Sequence, residues 1–165
     1  MQKPLLTALT LATFITPVIA AELQSWPDNA PQQLAARSEP IQVSNVWATW
    51  CVPCRKEMPA LSKWHQTQQT KRHRLAVGLL GVALDEPANI STFLKQTPVR
   101  YPIWRYTGVD SRAWMKSLGN DVGALPFTLI EAKKCNHRQA IFGEVTAAKL
   151  DKAVAIARNA CGTKS

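Results

Sequence analysis

Two cysteines separated by two residues, Cys51 and Cys54, are the side chains most able to do chemistry in this chain. A thiolate at the first position can attack a disulfide, and a thiol one helical turn later can attack the mixed disulfide and release the product. Such a pair can also be half of a zinc site, which normally needs two more cysteine or histidine ligands. The other cysteines, Cys135 and Cys161, are widely separated, and the three histidines are scattered. We therefore predict a redox dithiol and no metal site.

The residues around the pair predict the elements that position it. Apolar and β-branched residues from Ile41 to Trp47 are typical of a buried strand, and the residues after Cys51 favour a helix. Cys51 would then lie at a helix N-terminus, where free N–H groups and the helix dipole stabilise a thiolate. Pro53 fits the first turn of that helix, because its missing N–H costs little there.

The complete segment Trp47–Pro59 resembles the active-site signature of the TlpA/ResA family of thioredoxin-like thiol–disulfide oxidoreductases. The resemblance implies that Cys51 is the attacking nucleophile and Cys54 the resolving thiol. It also implies that Glu57 lies near the cysteines and influences their protonation, whereas spacing alone makes Glu57 a favourable partner of the helix dipole. Asn45 stands where thioredoxin has a buried acid, so we do not expect the proton-handling carboxylate on the strand.

A second diagnostic residue is Pro126, which lies just before an apolar run in the segment Gly123–Ile130. The residues alone indicate a proline at the start of a strand, and most such prolines are trans. With the resemblance it becomes the cis-proline of thioredoxin-like folds, facing the cysteine pair. The backbone of Leu125 would then pair with an extended substrate, and its side chain replaces a more usual threonine or valine, which we expect to alter selectivity. Trp50 and Pro53 complete the expected substrate-binding surface.

We predict a structural disulfide between Cys135 and Cys161. Cys135 falls in a polar turn at Lys133–Arg138, and Cys161 follows an amphipathic helix predicted at 147–160. Exported proteins commonly keep disulfides, and these two elements can be spatial neighbours. The alternative is a second redox pair that relays electrons, which no Cys-x-x-Cys spacing supports.

The order of the apolar segments predicts an α/β fold. Leu75–Leu84 is a continuous apolar run typical of a strand buried on both faces. Pro59 is expected to kink the helix that runs from the cysteines to about Thr70. Together with the resemblance, this pattern gives a thioredoxin-like domain over residues 41–165, with a central mixed sheet flanked by helices. The other predicted elements are helices at 88–96, 111–118 and 147–160 and strands at 101–104, 127–130 and 140–142. The last helix is amphipathic, and we expect its apolar residues Leu150, Val154 and Ile156 to face the core.

The N-terminal part of the chain reads as two segments that precede this domain. Residues 1–20 have one charge, Lys3, and an apolar run that ends in small residues, which is typical of a cleaved secretory signal peptide. A retained membrane anchor is the alternative, although the run is short for a bilayer span. Residues 21–40 are polar, with room for a short helix at 32–37 and little room for the β-hairpin that members of the family usually carry.

The chain is basic, with a formal net charge of +9 that falls to +8 without residues 1–20. Nucleic-acid binding would need a clustered basic face with base-stacking groups. The densest basic run, Lys71–Arg74, lies at a predicted helix C-terminus, where cations are favoured in any case. We therefore expect a solvated basic surface and no nucleic-acid partner.

The residues between the cysteines bear on the direction of electron flow. Val52 and Pro53 offer no histidine to stabilise a thiolate as in a strongly oxidising site, so a reductant is favoured. We expect a periplasmic monomer that needs no cofactor, and the resemblance implies that a membrane electron-transfer protein keeps it reduced. Its clients would be proteins with disulfides, such as apocytochromes in cytochrome c maturation or copper-site proteins. The alternatives are a disulfide oxidase or isomerase of exported proteins, and a copper-binding thiol chaperone with Met58 as a weak further ligand.

Overall fold

A computed structural model describes residues 22–71 and 75–162 of the chain. The predicted signal peptide and most of the Lys71–Arg74 run lie outside these residues. The strands are β1 (Leu23–Ser25), β2 (Pro31–Gln32), β3 (Ile41–Trp47), β4 (Val77–Ala83), β5 (Ile103–Tyr106), β6 (Phe127–Ala132) and β7 (His137–Phe142). The helices are α1 (Val52–Thr70), α2 (Pro87–Gln96), α3 (Ser111–Ser117) and α4 (Ala147–Gly162), with short 3-10 turns at Leu34–Ala36 and Lys133–Cys135.

The strands form one mixed sheet in the order β2-β1-β5-β4-β3-β6-β7. At its centre β3 and β4 are parallel and fully buried, as expected for strands covered on both faces. β5 runs parallel to β4, and β6 runs antiparallel to β3. The carboxyl ends of β3, β4 and β5 therefore meet at one edge of the sheet, where the chain leaves β3 for the cysteine pair. The predicted mixed sheet flanked by helices is confirmed.

Two apolar cores cover the faces of the sheet. The larger core lies between β3, β4 and the helices α1, α2 and α4, and contains Trp47, Met58 and Leu150. The smaller core lies on the opposite face, where Trp114 and Met115 of α3 pack against the other side of the same strands. None of the helices within the described ranges is long and apolar enough to cross a bilayer.

The N-terminal segment differs from its prediction. A β-hairpin is present, because β1 pairs with β2 and also adds antiparallel to β5, with Leu23 opposite Tyr106. The prediction failed because strands of three and two residues carry no alternating pattern, and their stability comes from joining an existing sheet edge. The short helix expected at 32–37 is present as the 3-10 turn Leu34–Ala36.

Smaller differences occur later in the chain. β5 lies two residues later than predicted, and β7 begins at His137 rather than at 140. α4 extends through Gly162, and its buried face contains Leu150 and Val154 as predicted but not Ile156, whose side chain is 42% exposed. Ala153 and Ala157 take the inward positions instead, since they follow the helical period from Leu150.

Candidate active site at the N-terminus of α1

The cysteine pair lies where the chain turns from β3 into α1. Cys51 is the N-cap residue of α1, and its Sγ accepts the backbone N–H of Cys54 at 3.3 Å. Cys51 is 5% exposed and Cys54 is fully buried, and the two sulfurs are joined in a disulfide. Pro53 occupies the first turn, as the sequence predicts. The N–H that reaches Cys51 Sγ would stabilise a thiolate at the same atom after reduction.

The loop that carries Cys51 is held by a carboxylate from the neighbouring strand. Asp85, just after β4, accepts hydrogen bonds at Oδ2 from both the backbone N–H and the hydroxyl of Thr49. Its Oδ1 accepts from the backbone N–H of Glu86 and from Asn89. Partial burial opposes ionisation of Asp85, but these hydrogen bonds outweigh it and hold the pKa below its usual value. Sequence reasoning missed Asp85, although its position after a parallel neighbour of β3 is the signal that could have found it.

A buried carboxyl group, that of Glu57, lies one helical turn beyond Cys54 on α1. Glu57 is 2% exposed, and each of its oxygens accepts one hydrogen bond. Oε1 accepts from Asn45 Nδ2 at 2.8 Å, and Oε2 accepts from the backbone N–H of Val145 at 2.7 Å. Burial raises the pKa of Glu57 to about 7, and the two hydrogen bonds pull it only partly back. This carboxyl group can therefore gain or lose a proton near neutral pH.

Asn45 connects Glu57 to the sheet. It is fully buried on β3, and its Nδ2 also donates to the hydroxyl of Thr128 on β6 at 3.1 Å. Its Oδ1 is buried without a hydrogen-bond partner among the described residues. The strand thus provides an amide beside the carboxyl group of Glu57, and no carboxylate of its own at this position.

The remaining candidates lie near the carboxyl end of β3, which leads to Cys51. The Leu125–Pro126 peptide bond is cis, and Pro126 is buried directly before β6, whose Phe127 pairs with Val46 of β3. Leu125 is half-buried, and within the described residues its backbone lies outside the sheet ladders. Trp50 is 68% exposed, so a large apolar side chain faces solvent beside the disulfide.

Cys135 and Cys161 are joined in a second disulfide, which lies beyond the opposite end of β6 from Pro126. It connects the 3-10 turn between β6 and β7 to the last turn of α4. In the part of the chain that the structure describes, no group of three or more His, Cys, Asp or Glu side chains is placed to hold a metal ion. Met58 is fully buried in the larger core.

Comparison with known proteins agrees with this geometry. The model of the AhpC/TSA family matches residues 18–135. A thiol–disulfide oxidoreductase ResA of Bacillus cereus is 29% identical over 109 residues, which are 65% of this chain and 57% of ResA. The chain thus spans less than two thirds of the length of that curated relative.

Solved structures resemble most of the chain. The thioredoxin-related protein from Neisseria meningitidis serogroup B is 54% identical, with a TM-score of 0.76 over 84% of this chain and 99% of that one. A DsbF homologue from Corynebacterium diphtheriae is 27% identical, with a TM-score of 0.63 over 81% of this chain and 82% of that one. The thioredoxin-like fold and the resemblance to the TlpA/ResA group are thereby confirmed, and the chain belongs to the thioredoxin-like AhpC/TSA family.

Proposed function

We propose that this protein is a thiol–disulfide oxidoreductase that works through Cys51 and Cys54. The observation that carries the proposal is the position of Cys51 at the N-cap of α1, with its sulfur accepting the N–H of Cys54. A helix N-terminus favours the thiolate, which is the nucleophilic form of cysteine. The relatives named thiol–disulfide oxidoreductases support the same reaction class.

The reaction has two exchange steps. The Cys51 thiolate attacks one sulfur of a substrate disulfide, forms a mixed disulfide, and releases the other substrate sulfur as a thiolate that takes a proton from water. Cys54 then loses its proton and attacks Cys51 Sγ, which breaks the mixed disulfide and releases the second substrate thiolate. The substrate disulfide is reduced by two electrons, and the protein ends with the Cys51–Cys54 disulfide.

Glu57 is the proposed proton acceptor for the second step. Its carboxyl group lies one helical turn from Cys54, is buried, and has a pKa of about 7. A carboxylate with such a pKa can take the proton of a thiol and return it at neutral pH. Pro126 and the backbone of Leu125 would hold an extended substrate segment beside Cys51 by strand addition, with Trp50 and Pro53 lining the same surface.

The proposed direction is reduction of client proteins with disulfides by an exported, periplasmic, monomeric protein. Val52 and Pro53 between the cysteines supply no histidine to stabilise a thiolate strongly. A reductant in an oxidising compartment needs an electron supply, for which a membrane electron-transfer protein is the proposed donor. No cofactor takes part in this scheme, since both electrons reside on the two sulfurs.

The test is the equilibrium reduction potential of the Cys51–Cys54 pair in defined glutathione or dithiothreitol buffers. A parallel sample with Cys135→Ser and Cys161→Ser removes the second disulfide from the measurement. We expect a value near that of thioredoxin, about −270 mV. A value near about −120 mV would instead make the protein a disulfide donor and overturn the proposed direction. Absence of exchange with any disulfide would overturn the activity itself.

A further inference from the structure

The buried carboxyl group of Glu57 has two neighbours that differ in what they can do when it gains a proton. The backbone N–H of Val145 donates to Oε2, and a backbone amide cannot reverse its role. Asn45 donates to Oε1 through Nδ2, but a side-chain amide has an acceptor oxygen at the same distance from its Cβ and can rotate. A proton taken up by Glu57 is therefore best placed on Oε1, facing Asn45.

In the structure, the hydrogen bonds of Asn45 suit the ionised carboxylate. Both bonds of Nδ2, to Glu57 Oε1 and to Thr128 Oγ1, use the amide as donor, and Oδ1 is left buried without a partner among the described residues. Protonation at Oε1 in this arrangement would set an O–H against an N–H, which is repulsive. A half-turn of the amide removes this repulsion, and Nδ2 then takes the position in which Oδ1 is buried without a partner among the described residues. Oδ1 then accepts from the Glu57 carboxyl O–H and from the Thr128 hydroxyl, which can turn its hydrogen towards it.

We propose that Asn45 is a positioning residue that rotates its side-chain amide when Glu57 takes up a proton, so that both protonation states of the buried carboxyl group are hydrogen-bonded. The inference rests on the proposed function for its purpose, because the proton would come from Cys54 as that thiol attacks the mixed disulfide. An aspartate at position 45 would place a second negative charge against Glu57, whereas an apolar residue would serve neither state. The amide serves both without a net charge.

The other groups around Glu57 cannot change from hydrogen-bond donor to acceptor when it takes up a proton. Glu144 and Lys149, from the loop before α4 and from α4, are exposed and act on Glu57 only through their charges, in opposite directions. Burial and, to a smaller extent, the charge of Glu57 raise the pKa of Tyr101. No hydrogen bond joins the two side chains among the described contacts. Cys54 precedes Glu57 on the same helix and is the proposed proton donor. Asn45 is thus the side chain whose hydrogen bonding can follow the proton.

The direct test is NMR of the native oxidised protein from pH 5 to pH 9, in which the cysteines do not titrate. The Glu57 carboxyl carbon shift reports its protonation, and cross-peaks from the Asn45 amide hydrogens to the Thr128 methyl group report the amide orientation. We expect these cross-peaks to weaken as Glu57 is protonated, with the same midpoint. Cross-peaks that stay constant while Glu57 titrates, or a Glu57 that does not titrate in this range, would overturn the proposal.

Two variants extend the test. Glu57→Gln carries a permanent donor and should show the acid-form pattern of Asn45 at every pH, and an alkaline-form pattern in this variant would contradict the proposal. Asn45→Leu should slow resolution by Cys54 by about tenfold near pH 7 while leaving attack by Cys51 unchanged in single-turnover measurements, whereas a merely structural loss would slow both steps. If the amide rotates with Glu57 but no substrate disulfide is reduced, the proposed function fails and the rotation stands.

Discussion

One disulfide of this protein lies at the N-terminus of α1, and the other joins the C-terminus of α4. Cys51 caps the N-terminus of α1, where backbone N–H groups and the positive end of the helix dipole favour a thiolate. Cys161 lies in the last turn of α4, where the negative end of the helix dipole disfavours a thiolate. Cys161 is nevertheless the more exposed of these two. We therefore expect the local field at the sulfur, rather than access to solvent, to decide which of the two disulfides exchanges with a substrate.

The largest expected effect is on activity, when the cysteines of the first pair are replaced one at a time. We expect Cys51→Ser to lower disulfide reduction to the level of the buffer, because no nucleophile remains at the helix N-terminus. Cys54→Ser should accumulate a mixed disulfide with the substrate, since the first step survives and the resolving thiol is lost. Insulin reduction and non-reducing gel electrophoresis measure the two effects.

The matched control is the double variant Cys135→Ser/Cys161→Ser, which should retain full activity in the same assays. Equal loss of activity in this control, with the variant still folded by circular dichroism, would show that the second disulfide takes part in electron transfer. That outcome would remove the distinction between the two pairs.

The second expected effect is on stability. Loss of the Cys135–Cys161 disulfide, which closes a separation of 26 residues, should lower the free energy of unfolding by about 3 kcal/mol, because the unfolded chain regains loop entropy. Urea unfolding of the oxidised protein measures the change, with the reduction potential of Cys51–Cys54 as the property expected to stay constant. In graded dithiothreitol, we expect Cys51–Cys54 to be reduced before Cys135–Cys161, and the reverse order would contradict the assignment of roles.

The third expected effect is a pH dependence of stability caused by Glu57, which lies one helical turn from Cys54. The pKa of Glu57 is about 7 in the folded protein and 4.5 for the free group. Between pH 4.5 and pH 7 the folded protein therefore keeps a proton that the unfolded protein has lost. Its contribution to stability is therefore complete below about pH 4.5 and is lost as pH rises to about 7, by up to about 3 kcal/mol. Glu57→Gln should abolish this fall, because a glutamine resembles the protonated acid, and should slow resolution by Cys54.

Urea unfolding of the oxidised native protein and of Glu57→Gln from pH 4 to pH 8 tests the difference. The control is Glu144→Gln, which makes the same change of charge at an exposed neighbour. We expect Glu57→Gln to match the native protein at pH 4 and to exceed it at pH 8. Parallel pH curves for the native protein and Glu57→Gln would show that the pKa of Glu57 is the same in the folded and the unfolded protein, and would contradict the raised value.

The sequence was informative where the site is local and uninformative where it is assembled across the chain. The strand, the turn and the helix around Cys51 follow from adjacent residues, so their chemistry could be predicted with the element that positions it. Glu57 was identified by the resemblance, but its partner Val145 is 88 residues away and donates through the backbone, which no side-chain pattern reveals. The hairpin of β1 and β2 was missed for the same reason, because it is stabilised by β5 rather than by its own residues.

The smallest expected effect concerns the hydrogen bonds from Asp85 to the loop that carries Cys51. Asp85→Asn replaces one of the two acceptor oxygens by an amide donor and removes the charge that strengthens the hydrogen bonds from Thr49. It should lower the free energy of unfolding by about 1 kcal/mol at pH 7. Because the pKa of Asp85 is lowered in the folded protein, this contribution is present above about pH 3.8 and is lost as pH falls further. The stabilities of the variant and the native protein should therefore converge in acid.

Glu86→Gln is the matched control, since it makes the same charge change on the next residue, whose side chain makes no capping hydrogen bond. Amide hydrogen exchange at Thr49 should accelerate in Asp85→Asn and not in Glu86→Gln. Equal protection of Thr49 in both variants would mean that β3 and α1 alone position Cys51, and that the carboxylate after β4 stabilises only the start of α2.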